Sequence, residues 1–163
     1  MSDQKDREKV KSLIKSIKVC MFTTQDSNNE LRTRPMNTTD VEKDGTLWFF
    51  TDAFSDKVDE FQENHPVSLG YSDPGNDDYV SISGHATLVR DRETLEDKWN
   101  PMLKAWFPDG LDTKGISLIK VVPKTAEYWD GADNSLVQMA KIGYAILTGQ
   151  KHQTGEHGRV QMS

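Results

Sequence analysis

Arg32 and Arg34 stand two residues apart in the run Arg32-Thr33-Arg34-Pro35-Met36. In an extended strand residues i and i+2 point the same way, so both guanidiniums leave one face. Downstream, Leu47-Trp48-Phe49-Phe50-Thr51 reads as a short aromatic strand. It runs into Asp52-Ala53-Phe54-Ser55-Asp56-Lys57, where a helix is expected to begin. Two guanidiniums, the hydroxyls of Thr51 and Ser55, the Lys57 ammonium and a helix N-terminus are the parts of a phosphate-monoester site. The flat aromatic surface beside them suits the rest of a nucleotide-like molecule. The chemistry implied is the holding of a phosphorylated, ring-bearing ligand.

Each of these residues also has a plainer role. An Arg-x-Arg pair on a strand is ordinarily a solvated face with acidic cross-strand partners. Ser55 alone is an N-cap contributing about 1 kcal/mol, and Lys57 alone is a surface lysine. Pro35 shifts the balance, because proline cannot donate to a sheet ladder and so marks an edge or bulge where a ligand finds open groups. The shared position at a strand-to-helix turn favours the phosphate reading.

The elements that must position these groups follow from periodicity. Val10, Leu13, Ile14 and Ile17 form one stripe of an amphipathic helix. Strands are expected at 18–24, 31–41, 46–51, 67–72, 79–89 and 116–128, with a hairpin at Asp44-Gly45 and turns at 25–30 and 73–77. Helices are expected from Ser55 to about 64, after Asp91, and from Asn134 or Ser135 to about 147. His65-Pro66 closes the first of these. Gly84 inside a strand points either to a bulge or to the close approach of a ligand. Trp99 and Met102 read as helix core, whereas Trp106, beside Pro108-Asp109-Gly110, fits an interface better than a monomer core. Residues 1–148 make one domain and 149–163 a polar, loose tail. Connections of hairpin length imply a mainly β, α+β fold: a six-stranded, largely antiparallel sheet closing into a small barrel with flanking helices.

Composition limits the partners. The 163 residues carry a net charge of −6, which argues against a nucleic-acid binder needing a basic face. Cys20 is the one cysteine, so no intramolecular disulfide forms, as expected in a reducing compartment; within Val19-Cys20-Met21-Phe22 it reads as a small core residue. The charged N-terminus has no apolar signal region, and no run approaches the ~20 apolar residues of a membrane span. A soluble, cytoplasmic protein without membrane partners is expected. His152 and His157 lack a third ligand, and no metal is assigned.

Taken in order, these pieces resemble the FMN-binding split-barrel superfamily of pyridoxamine 5′-phosphate oxidase-like proteins, in particular its general stress protein branch. The matching runs are Arg32-Thr33-Arg34-Pro35-Met36, Trp48-Phe49-Phe50-Thr51-Asp52 with Ser55 and Lys57, and Ser81-Ile82-Ser83-Gly84-His85-Ala86. Further on come Trp99-Asn100-Pro101, Lys104-Ala105-Trp106-Phe107-Pro108 and Ala126-Glu127-Tyr128-Trp129-Asp130. The resemblance implies a homodimer of six-stranded antiparallel split barrels with two FMN sites in clefts between the subunits. It places Arg32, Arg34, Ser55 and Lys57 at the phosphate and ribityl side, and Pro35, Met36, Phe50 and Thr51 beneath the isoalloxazine. Ser83 becomes a polar contact, and Trp106 and Trp129 aromatics brought by the second subunit. It implies an FMN-dependent oxidoreductase or flavin reductase-like protein exchanging electrons with a small molecule. Oxidation of pyridoxamine 5′-phosphate is not expected, because the C-terminus lacks the family's Arg-x-His segment. A non-catalytic flavin-binding stress protein, a cofactor-free interaction module, and a deazaflavin or haem ligand stay open beside that reading.

Overall fold

The stripe Val10, Leu13 and Ile14 is buried in a 16-residue helix, α1 (Ser2–Ile17). Lys18, at φ 69°, takes the left-handed conformation that ends a helix, and its amide donates to the Ile14 carbonyl at 2.8 Å. The chain thus turns in one residue into β1 (Val19–Gln25), followed by β2 (Leu31–Asn37), β3 (Asp40–Val41) and β4 (Leu47–Thr51). Then come β5 (His65–Asp73), β6 (Asp78–Val89), α2 (Arg92–Lys98), β7 (Ser117–Asp130), α3 (Ser135–Thr148) and β8 (Glu156–Gln161). This computed structural model describes residues 2–52, 65–131, 135–151 and 155–162; the helix expected over 55–64, with Ser55 and Lys57, lies outside the described residues.

All ladders are antiparallel, in the order β2-β1-β5-β6-β7-β4-β3, with β8 also on β7. The sheet curls into a split half-barrel around α1. The eight strands of the described residues differ from the six expected, for two physical reasons. The run 31–41 serves two ladders: Thr38 N donates to the Lys18 carbonyl, but Thr39 N donates to the Trp48 carbonyl, so the chain leaves β1 and joins β4. The segment read as a loose tail supplies β8, whose inward residue Val160 and the following Met162 are buried while its outward residues are polar.

Strand β4 is buried on both faces, and this divides the interior. Leu47 and Phe49 join the main core, where Phe49 meets Phe22 edge-on at 5.4 Å. Trp48 and Phe50 join a second cluster with Leu95, Leu103 and Leu118. The second cluster exists because α2 and the helical turn Pro101–Ala105 cover the outer side of β4. Trp99 is half-buried there, but Met102 is exposed rather than core.

Of the two reasons considered for Gly84, the structure shows a backbone one. The β6–β7 register shifts between Ser83 and Gly84, and a Cβ on Gly84 would lie 2.5 Å from the Val122 carbonyl oxygen. Gly84→Ala should therefore cost about 1–3 kcal/mol as overpacking against backbone that cannot yield. Chemical denaturation checks this; a midpoint equal to the parent's would refute it.

The end of the sheet where β6 begins and β7 ends is tied to α1 by charge. Lys9 pairs with Asp130, and the Tyr128 hydroxyl donates to Asp6 at 2.8 Å. Beside them Asp78 accepts the Gly131 amide at 3.0 Å, yet burial, helped by the Asp130 charge, raises its pKa above the ordinary 3.8. A carboxyl with a raised folded pKa binds its proton more readily when folded, so ionisation costs stability above that pKa and not below 3.8. Asp78→Asn should accordingly be more stable than the parent at neutral pH, the advantage fading as pH falls towards 3.8. Denaturant midpoints across that range test it, and an unstabilised variant at pH 7 would contradict it.

Candidate functional site

The split in the barrel, where β2 and β4 fail to pair, opens as a cleft of about 490 Å³. That is within the range of sites for small organic ligands. One wall is β2, with Arg34, Pro35 and Met36; the other is the end of β4, with Phe50, Thr51 and Asp52. The mouth is made by Leu103, Trp106 and Phe107. Six residues singled out from sequence therefore share one cavity: Arg34, Pro35, Met36, Phe50, Thr51 and Trp106.

The local reasons are plain. Arg34 lies opposite Phe22 in the β1–β2 ladder and so faces the inner side, where Nη2 donates to Thr24 Oγ1 at 3.1 Å. Its guanidinium is half-buried and held in one direction. Phe50 is set edge-on to Trp99 at 5.4 Å and tilted against Phe107 at 6.5 Å. Asp91 caps α2 by accepting the Thr94 amide, and Asn100 caps the next turn by accepting the Met102 amide. Lys98 clips this segment to the sheet through Asp40 and Glu42, both at 2.8 Å, while lying over the Trp48 ring. Burial opposes the Lys98 charge, but the two carboxylates overcome it and raise its pKa. The result places Trp106 at the rim, 62% exposed.

Other residues are not gathered in one chain. Arg32 starts on the same strand face as Arg34 but lies over the β1–β2 turn, donating from Nε to Asp26 Oδ2 at 3.1 Å. Asp26 is a ready partner, since the Glu30 amide and then Arg32 hold its carboxyl below the ordinary range. Ser83 is on the outer face of β6, between Ser68 and Thr125. Trp129 is at the far end of β7, its ring stacked on His157 at 5.1 Å, with His157 Nε2 2.8 Å from Glu127. The cleft also uses Val19, Asn37, Thr39, Asp52, Leu103 and Phe107, which sequence reading did not select. Their presence depends on which strands splay, and no local pattern signals it.

The chemistry available is binding and orientation. Cys20 is buried, and burial pushes its thiol up to about 12, so it is a core residue rather than a nucleophile. Among the described residues no group of three His, Cys, Asp or Glu could hold a metal, and no helix is long and apolar enough to cross a membrane. A cationic side chain at one end, an apolar and aromatic bed and a buried hydroxyl together suit a ligand that is part anion and part flat ring.

Fold and site together define a split-barrel protein with an anion-ready aromatic cleft. Residues 5–153 match the family model described as pyridoxamine 5′-phosphate oxidase like, and the chain belongs to that family. It is 30% identical over 158 residues to Protein bli-3 of Neurospora crassa, covering 91% of this chain and 75% of that protein. A solved structure assigned to general stress protein 26 from Jannaschia sp. CCS1 has a TM-score of 0.75 at 22% identity, over 99% of both chains. The general stress FMN/FAD binding protein of Xanthomonas citri has a TM-score of 0.67 at 26% identity, over 80% of this chain and 92% of that one.

Proposed function

We propose that the cleft binds FMN and that the protein is an FMN-binding oxidoreductase-like protein of the flavin reductase or general stress type. The observation that carries this is the meeting of Arg34, Pro35, Met36, Phe50, Thr51 and Trp106 in one cleft of about 490 Å³. Arg34, with Ser55 and Lys57, takes the phosphate end, Arg32 adds its charge from outside the cleft, where Asp26 holds it over the β1–β2 turn, and Pro35, Met36, Phe50 and Thr51 form the bed for the ring. Bound FMN would supply the redox chemistry; the protein supplies position and electrostatics. The substrate is a small electron donor or acceptor.

The working unit in this reading is a homodimer. A cleft open at Trp106 needs a second wall, and Ser83 and Trp129, remote from the cleft of their own chain, belong to that wall on the partner. In this reading the protein is cytoplasmic, which its single buried cysteine, as is usual in a reducing compartment, supports. The name and sequence identity of the Xanthomonas citri protein favour a flavin over other ring-bearing phosphates.

The test is the absorption spectrum of freshly purified protein, with an FMN titration and anaerobic reduction by NADH or NADPH. Flavin bands and turnover with an added acceptor are expected. Flavin bands without turnover would make the protein a flavin carrier. A colourless protein that ignores added FMN would overturn the reading.

A further inference from the structure

Far from the cleft, in the second turn of α1, Arg7 is half-buried, and its Nε is buried without a hydrogen-bond partner among the described residues. A buried N–H on a charged group costs more than a neutral one when no acceptor reaches it. A small anion bound beside Arg7 removes that cost.

The surroundings of Arg7 are arranged for one. It lines a pocket of about 70 Å³ between α1 and the β3–β4 hairpin, with Met162 on the apolar side. Gln4 and Lys11, three residues before and four after Arg7, share its helix face, and Lys43 and Asp44 come from the hairpin. Three cations thus meet two carboxylates, Glu8 and Asp44, and both carboxylates are already engaged. Glu8 Oε1 lies 2.6 Å from Lys11 Nζ and accepts from Gln4 Nε2 at 3.3 Å. Asp44 Oδ1 accepts the Thr46 amide at 2.9 Å, a bond that outweighs burial and holds its carboxyl below the ordinary range. Lys11 also donates to the Lys43 carbonyl at 2.9 Å, which fixes the hairpin to the helix. The charge left over is positive: the Arg7 guanidinium and the exposed Lys43 ammonium, in a chain of net charge −6.

Size selects the ligand. Organic molecules take pockets of about 300–1,000 Å³, whereas this one has room for a few waters or one tetrahedral oxyanion. Phosphate suits it better than chloride, because the forked N–H groups of arginine match two phosphate oxygens while lysine adds a point charge. We propose that this pocket binds a phosphate group, held by Arg7 and neutralised by Lys43 and Lys11. It shares no residue with the cleft, so the site goes beyond the FMN reading and stands independently of it. The bound anion bridges α1 and the β3–β4 hairpin, and binding therefore stabilises the fold.

Melting of the full chain in sodium phosphate, against sodium chloride at equal ionic strength, tests this. With a dissociation constant on the order of 1 mM, about 20 mM phosphate raises the folded-to-unfolded ratio roughly 20-fold. The melting midpoint should rise by roughly 4–7 °C. Arg34→Ala, which disarms the cleft, should keep this rise; adding Arg7→Gln to it should abolish the rise. In chloride, Arg7→Gln should not lower the midpoint, since it removes a charge that had no partner. An arginine with only a structural role would give the reverse, a lower midpoint in chloride and an undiminished phosphate increment, and would overturn the site. Lys43→Gln, at an exposed turn position, gives a second measure that does not depend on the folding of the Arg7 variant. Phosphorus-31 line broadening should show it binding phosphate at least about threefold more weakly than the parent, and parent-like binding would count against the site. No rise beyond chloride in the parent, or a rise lost with Arg34→Ala alone, overturns the proposal. Glycerol phosphate separates the sources: binding equal to that of phosphate supports the end group of a phosphomonoester, and exclusion of the ester supports the free ion.

Discussion

Arg34→Ala should weaken FMN binding at least about tenfold while leaving riboflavin binding nearly unchanged. A phosphomonoester carries roughly −1.5 to −2 charges near neutral pH. Hydrogen bonds to charged groups contribute about 1.5–3 kcal/mol, and tenfold in affinity is about 1.4 kcal/mol. Arg34 is half-buried and directed by Thr24 Oγ1, so its charge is less screened than that of a surface arginine. The acidic chain, at −6, would otherwise repel the anion. Lys57→Ala is expected to act in the same sense. Riboflavin lacks the phosphate, so it should bind the parent poorly and be indifferent to both changes. Fluorescence titration of parent and variants with each flavin is the measurement. Equal losses for both ligands would mean that Arg34 does not hold the phosphate.

Phe49→Ala should cost about 3–5 kcal/mol of stability, lowering the melting temperature by roughly 6–20 °C in a domain of this size. Phe49 is fully buried in the main core against Phe22, and the β1–β5 and β4–β7 ladders on either side leave the cavity no easy collapse. The folded fraction should still bind FMN at parent affinity, because Phe49 points away from the cleft. Phe50→Ala is the counterpart on the next residue. Phe50 lines the cleft and touches Trp99 and Phe107, so its loss should lower both stability and flavin affinity. Calorimetry and titration of the two variants separate scaffold from site. If Phe49→Ala loses flavin affinity as strongly as Phe50→Ala, the two faces of β4 are not independent as described.

Local pattern carried the reading of β4 and of α1. The β-prone aromatic run ending in Thr51 marks a strand, and the 3.6-residue stripe from Val10 marks a helix with one face to bury; that β4 is buried on both faces and that α1 lies against the sheet are seen only in the fold. The Asp91 cap was legible in the same local way, since an aspartate before a charged helical turn is a local signal. Strand β8 was illegible for the opposite reason. Glu156-His157-Gly158-Arg159 reads as polar tail, and only the Tyr128 ring against Gly158, with the buried Val160, makes it a strand.

The sequence by itself determined the chemical inventory: one cationic strand, one aromatic strand, and the order of elements that identifies the family. Those are properties of residue type and short-range spacing, which the chain carries wherever it folds. Tertiary structure alone decided which of the two strand arginines enters the cleft. The choice turns on Asp26 and Glu30 competing for Arg32 at the hairpin turn, while Thr24 directs Arg34 inward. It also decided where the cleft lies, because the gap between β2 and β4 is the place where a curled sheet runs out of ladder partners. It left α3 bare as well. An apolar stretch announces burial, but what buries it depends on surfaces that exist only once the strands have paired.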